Sequence, residues 1–280
     1  MPELPEIETV KLQLQKTLVG QKLLGVEVLA PKIVKSDLTS LVSKKVVGIN
    51  RLGKVLLISF GDKLNLGFHF KMTGQLVLVE GKTRVVGGHP TVDFWAQMPS
   101  KHTRVIFKFD KGTLYFNDQR LFGWVEINPK FVDKLGPEPF EISKEKFVKI
   151  FSKPKKPIKL ALMDQDRLSG VGNIYANDAL WESKINPRTP CNKLSKDQLE
   201  LLFEKTKLVL KEGIKYGGAT AADAKYIDLH GLGGHYQDHF RVYDRAGKPC
   251  LNPACRQAGV KIEKFTMGGR GTYWCPHCQK

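Results

Sequence analysis

Four cysteines near the end of the chain, Cys250, Cys255, Cys275 and Cys278, are spaced as C-x4-C, nineteen residues, then C-x2-C. Thiolates in two such pairs can close a tetrahedral zinc site. With every ligand supplied by protein the site is structural, because no position stays open for water or substrate. Two disulfides or buried thiols are the rival readings. Cys191 stands apart, and the clustering of the other four is unlike a disulfide framework spread through a secreted domain. Between the pairs runs Met267-Gly268-Gly269-Arg270-Gly271-Thr272-Tyr273, a glycine-rich turn flanked by strand formers. It reads as a hairpin tip presenting Arg270, either as one solvated cation among many or as a phosphate contact.

The other end carries a second chemistry. Met1 is followed by the small residue Pro2, a form from which the initiator methionine is normally removed, exposing a secondary amine. An α-amino group titrates near ~8, so on the order of a tenth is unprotonated at neutral pH, far more than for an ordinary lysine. Attack of such an amine on a sugar carbon gives an iminium ion, whose positive charge draws electrons for later eliminations. Glu3, beside the amine, reads as a proton-transfer group, and Glu6 as that or as an acid placed by the helix dipole.

Positioning these groups requires framework. A helical pattern covers 4–18, and a series of strand-like runs follows, among them 55–60, 64–70, 75–79, 104–109, 113–116 and 124–127, rich in β-branched and aromatic residues. They predict a β-sandwich or barrel. Leu135-Gly136-Pro137-Glu138-Pro139 breaks any regular element and marks a boundary. Beyond it the period lengthens to helical over 143–151, 158–163, 173–181 and 195–216, the last opening with Ser195 and Gln198 as a capping box. The glycine-rich stretch 217–235 reads as a mobile loop. The predicted class is α+β, divided as 1–136, a β-sandwich with an N-terminal helix; 137–238, helical; and 239–280, a zinc-finger hairpin.

Lys and Arg number 45 against 28 Asp and Glu, a net +17 over 280 residues. Folding needs no such excess, so it argues for a polyanionic partner, duplex nucleic acid first. No stretch reaches the roughly 18 apolar residues of a membrane span, and MPELPEIETV lacks the basic flank and apolar run of a secretion signal. The expectation is a cytoplasmic protein with no membrane partner.

MPELPE, Gly53-Lys54, Met72-Thr73-Gly74, Lys101-His102, Asp118-Gln119-Arg120-Leu121-Phe122-Gly123, the Leu135–Pro139 break, Gly170-Val171-Gly172-Asn173-Ile174-Tyr175 and Gly269-Arg270-Gly271-Thr272 with the late cysteines occur in order over the whole chain. Together they resemble the formamidopyrimidine-DNA glycosylases, bacterial 8-oxoguanine repair enzymes. The resemblance implies a helix-two-turns-helix module in the middle of the chain and one structural zinc ion. It implies a monomer acting on damaged duplex DNA, associated with the nucleoid when bound.

By that resemblance Pro2 is the Schiff-base nucleophile, Glu3 the proton donor, Lys54 the β-elimination group and Arg270 the δ-elimination group. Met72, Arg120 and Phe122 match the wedge that fills the gap left by an extruded nucleotide, although Met72 and Phe122 are equally readable as core. His102, Lys155 and Asn173 match DNA contacts; Asn173, opening a helix after two glycines, independently suits a phosphate. Three departures stand out. The first knuckle is C-x4-C where the family has C-x2-C, Asp178 replaces a glutamate, and the wording of 223–234, with Tyr226, differs. The competing functions are an endonuclease VIII-like enzyme for oxidised pyrimidines, a non-catalytic binder of damaged DNA, and an RNA- or ribosome-associated zinc protein.

Overall fold

The computed structural model describes residues 1–61, 63–219 and 234–280. These residues form two compact units, Met1–Lys134 with the described part of Tyr216–His235, and Leu135–Lys215 with Tyr236–Lys280. The expected loop over 217–235, including Tyr226, lies mainly outside the described residues.

In the first unit, Leu4, Ile7, Val10 and Leu14 recur at helical spacing and are all buried, forming one face of α1 (Leu4–Thr17). Pro5 sits in the first turn, where its missing N–H costs no intrahelical bond. Nine strands follow: β1 (Leu23–Val28), β2 (Gly48–Leu52), β3 (Val55–Ser59), β4 (Asn65–His69), β5 (Gly74–Glu80), β6 (Thr83–Gly88), β7 (Thr103–Phe109), β8 (Thr113–Asp118) and β9 (Trp124–Ile127). They build two antiparallel sheets, ordered β1-β7-β8-β5-β6 and β2-β3-β4-β9. Phe68 of β4 meets Phe107 of β7 and Phe116 of β8, each with ring centroids 5.6 Å apart, so the sheets close a sandwich over one core. α1 lies against β6, and a Cβ on Gly87 would come within 2.0 Å of Val10 Cγ2. Only glycine permits that approach.

The second unit contains α2 (Lys144–Phe151), α3 (Ile158–Leu162), α4 (Asn173–Glu182), α5 (Lys196–Lys215), α6 (Pro253–Gln257) and the hairpin of β10 (Glu263–Met267) with β11 (Arg270–Trp274). Ser195 and Gln198 form the expected capping box of α5: Gln198 N donates to Ser195 Oγ at 3.2 Å and Ser195 N to Gln198 Oε1 at 2.9 Å. Between α3 and α4 the chain makes two turns pinned by Gln165, whose Nε2 donates to Met163 O and Val171 O, each at 2.8 Å, while its Oε1 accepts from Gly170 N at 3.0 Å. That arrangement is the expected helix-two-turns-helix. No helix among the described residues is long and apolar enough to cross a membrane.

Candidate active site and nucleic-acid contacts

Pro2 and Glu3 are buried at the start of α1. Glu3 is the N-cap, and its backbone N–H donates to Glu6 Oε2 at 2.7 Å, while Glu6 Oε1 accepts from Ala219 N at 2.8 Å. Both of Glu6's oxygens therefore hold backbone, and the Glu3 side chain in turn accepts from the Glu6 backbone, closing a capping box at the start of α1. Lys54 sits in the two-residue turn joining β2 to β3, with Leu52 and Val55 paired across it and Gly53 at φ +54°. Arg51 donates from Nη1 to Gly53 O at 3.0 Å and from Nε to Glu8 of α1 at 2.8 Å. The helix that follows Pro2 and Glu3 and the turn that carries Lys54 are thus tied by one guanidinium.

His69, which the motifs did not single out, ends β4 directly opposite Val55. It is buried, and burial, followed by the charges of Lys71, Lys54 and Lys35, pushes its pKa down to about 3. Its Nδ1 accepts from Lys71 N at 3.1 Å, so the ring is neutral at physiological pH, with its proton on Nε2. Burial and Lys35 also lower Lys71. Several lysines gathered around a buried imidazole mark a place suited to an anion.

Met72 and Phe122 are 39% and 53% exposed, so neither is core. The Arg120 guanidinium lies 4.6 Å from the Phe122 ring centroid. The turn carrying both is fastened by Asp118, which accepts from Arg120 N at 3.1 Å and Gly123 N at 2.7 Å and also bonds the Thr73 hydroxyl beside Met72. One buried carboxylate therefore organises the turn of Arg120 and Phe122 and the residue beside Met72. His102 Nδ1 lies 2.7 Å from Asp93 Oδ2.

In the second unit Asn173 is the first residue of α4, after Gly170 at φ +93° and the N-cap Gly172. Its side chain faces the hairpin: Nδ2 donates to Gly271 O at 3.1 Å. The same carbonyl accepts from Lys159 Nζ at 3.0 Å, and that ammonium also donates to Thr272 Oγ1 at 2.7 Å. Lys159 is completely buried. Gly268 and Gly269, at φ +55° and +72°, make the hairpin turn, and Arg270 begins β11 fully on the surface, as the glycine pattern predicts. Lys155 is also exposed.

The four cysteine sulfurs lie within 4.8 Å of one another, with Cys255 to Cys275 at 3.8 Å and Cys250 to Cys278 at 4.0 Å. A disulfide needs about 2.05 Å. Zinc–thiolate bonds of about 2.3 Å in a tetrahedron place sulfurs about 3.8 Å apart, so this donor set fits one zinc ion. Trp181 Nε1 donates to Cys250 Sγ at 3.4 Å, and His277 Nδ1 lies 3.3 Å from Cys255 Sγ. The longer first knuckle is accommodated by α6, a short helix capped by Asn252 through Ala254 N at 3.1 Å, which carries Cys255. Asp178, a second departure, is buried and accepts from Val242 N, Tyr243 N and Tyr236 Oη at 3.0, 3.1 and 3.3 Å. It joins α4 to the segment leading into the finger.

A buried Pro-Glu start tied to a lysine turn, a helix-two-turns-helix and a four-cysteine finger together define a DNA-repair glycosylase with lyase-type machinery. Three family models match in register: the formamidopyrimidine-DNA glycosylase N-terminal domain over residues 1–125, its H2TH domain over 135–225, and the zinc finger found in FPG and IleRS over 247–280. The formamidopyrimidine-DNA glycosylases of Pelotomaculum thermopropionicum and Listeria monocytogenes are 39% and 36% identical, covering all of this chain and 99% and 100% of their own. The chain belongs to the formamidopyrimidine-DNA glycosylase family. Among solved structures, the Lactococcus lactis enzyme with abasic-site DNA is 33% identical, with a TM-score of 0.84 and 99% of each chain covered. The same enzyme's complex with an oxidised-pyrimidine DNA gives 0.83 at 33% identity, covering all of both chains.

Proposed function

We infer that this protein is a base excision repair enzyme that removes oxidised purines, 8-oxoguanine and formamidopyrimidines, from duplex DNA and then nicks the strand by β,δ-elimination. The observation that carries the reading is the fastening of α1, with Pro2 and Glu3 at its start, to the Lys54 turn through Arg51 and Glu8. Once Met1 is removed, the Pro2 amine attacks C1′ of the damaged nucleotide and Glu3 supplies a proton as the base leaves. The resulting iminium acidifies C2′, and loss of that proton expels the 3′ phosphate. Lys54 serves this β-elimination. Arg270 serves the δ-elimination that expels the 5′ phosphate.

Met72, Arg120 and Phe122 fill the vacated stack, which offsets part of the few kcal/mol lost on extrusion. His102, Lys155 and Asn173 hold the backbone, and bound zinc keeps the hairpin that presents Arg270 folded. The working parts are 1–136, 137–238 and 239–280, acting in a cytoplasmic monomer. Competition among duplexes bearing 8-oxoguanine, formamidopyrimidine, an oxidised pyrimidine or an abasic site tests the substrate class. Preferred excision of the purine lesions is expected; a preference for the pyrimidine would instead support the endonuclease VIII-like reading, which the oxidised-pyrimidine complex of the Lactococcus relative keeps in view. Binding without turnover on any duplex would overturn both.

A further inference from the structure

The segment between β6 and β7 places a buried carboxylate under a residue read as a DNA contact. Val92–Phe94 forms a single 3-10 turn whose N-cap Thr91 accepts from Asp93 N at 3.2 Å. Asp93 Oδ2 accepts from the Thr91 hydroxyl at 3.0 Å and lies 2.7 Å from His102 Nδ1. The Asp93 side chain is 3% exposed and that of His102 19%. The backbone carrying Asp93 is clamped in turn: Arg84 donates to Asp93 O, Phe94 O and Ala96 O at 3.0, 2.6 and 2.7 Å. Below it, Gln75 holds Thr91 and Asn117, and Asn117 holds the Thr103 hydroxyl beside His102. Asp93 is therefore fixed before any ligand arrives.

We propose that Asp93 is a positioning residue for DNA binding: it accepts from His102 Nδ1–H and so aims Nε2 at a backbone phosphate, to which Nε2 donates when it too carries a proton. A carboxylate on Nδ1 fixes the ring's orientation and keeps a proton on that nitrogen. Neighbouring Lys101 and Arg104 carry charge of their own, but neither replaces a buried acceptor on Nδ1. The proposal rests on His102 being a DNA contact. It goes further in naming the group that makes it one.

The test is a double-mutant cycle of Asp93→Asn and His102→Gln, with the affinity for an abasic-analogue duplex read by fluorescence anisotropy and the His102 ring nitrogens of the free protein read by 15N NMR. Asp93→Asn should weaken binding about fivefold, the usual difference between a charge-assisted and a neutral hydrogen bond. Added to His102→Gln it should weaken binding no further, and alone it should shift the ring away from the Nδ1–H form. An equal loss from Asp93→Asn when His102→Gln is already present would overturn the proposal, since Asp93 would then act without the ring. So would an unchanged NMR tautomer. No loss from His102→Gln would overturn the reading of His102 and the functional half of the proposal with it, whereas loss from His102→Gln alone would overturn the proposal and leave that reading intact. If the Asp93→Asn variant fails to fold, Thr91→Ala, which removes a second donor to Asp93 Oδ2, enters the same cycle with the same outcomes.

Discussion

Lys159→Met removes a buried ammonium and keeps the length and most of the volume of its side chain. In the native protein that ammonium donates to Gly271 O at 3.0 Å and Thr272 Oγ1 at 2.7 Å, immediately after Arg270. Hydrogen bonds from a charged donor contribute about 1.5–3 kcal/mol each. Gly271 O retains Asn173 Nδ2 at 3.1 Å, so the main loss is at Thr272, whose remaining bond to Arg270 O is long at 3.4 Å. Relief from the cost of burying a cation offsets part of this. The net loosening of the hairpin is about 2 kcal/mol, roughly thirtyfold in its local opening equilibrium. Hydrogen exchange across Glu263–Met267 and Arg270–Trp274 should register it. On an abasic duplex the β-eliminated product should accumulate over the β,δ product, because Arg270 is held less firmly while Pro2 and Lys54 are untouched. Unchanged exchange with an unchanged product ratio in the zinc-loaded variant would refute the reasoning, as would a more protected hairpin.

Other expectations follow from single contacts. Burial raises Asp178 to about 6, despite the backbone N–H groups of Val242, Tyr243 and Arg241 and the Arg241 charge. The folded state then binds more protons at this site than the unfolded one, so the contribution of Asp178 to stability is greatest below about 4, where an unfolded Asp is itself protonated, and is lost as pH rises towards 6. Asp178→Asn should flatten that dependence in thermal melts between pH 4 and 6, and an unchanged slope would contradict it. Met72→Ala and Phe122→Ala should alter stability by less than about 0.5 kcal/mol, since both side chains are exposed, yet slow excision from duplex DNA; a large fall in Tm would place them in a core instead. Chelating zinc should abolish hairpin protection and δ-elimination together, measured by hydrogen exchange and product gels, whereas intact lyase output from metal-free protein would count against a structural ion.

The order and type of elements were legible where burial imposes a period. Central strands such as β3, with Val55, Leu56, Leu57 and Ile58 all buried, stand out as apolar runs. The strands the pattern did not single out, β1, β2 and β6, are all at sheet edges. One side of each lacks a neighbouring strand, and their sequences, LLGVEV, GINRL and TRVVGG, carry polar residues or glycines that weaken the alternation. The site divides similarly. Pro2, Glu3, Arg270 and the four cysteines were singled out by residue type and spacing in local motifs, whereas Lys54 was named only by the family resemblance. Lys159 matters through a partner far away in the chain, Thr272, 113 residues apart, and Asp93 and His69 through a burial that no local pattern marks. A histidine closing a strand three residues before Met72 was the one available hint of His69. No local signal marks a lysine as buried. Asn173 was placed correctly at a helix start, but its side chain's bond to the hairpin could be seen only once the fold had brought Gly271 to it.

The central claim is that the N-terminal proline amine is the nucleophile. Borohydride trapping on an 8-oxoguanine:C duplex, followed by peptide mapping of the adduct by mass spectrometry, reads it directly. The expected result is a single cross-linked peptide beginning at Pro2, with Met1 gone, and no adduct when the terminal amine is blocked. An adduct on Lys54 or another lysine, or full trapping by protein that retains Met1, would contradict it.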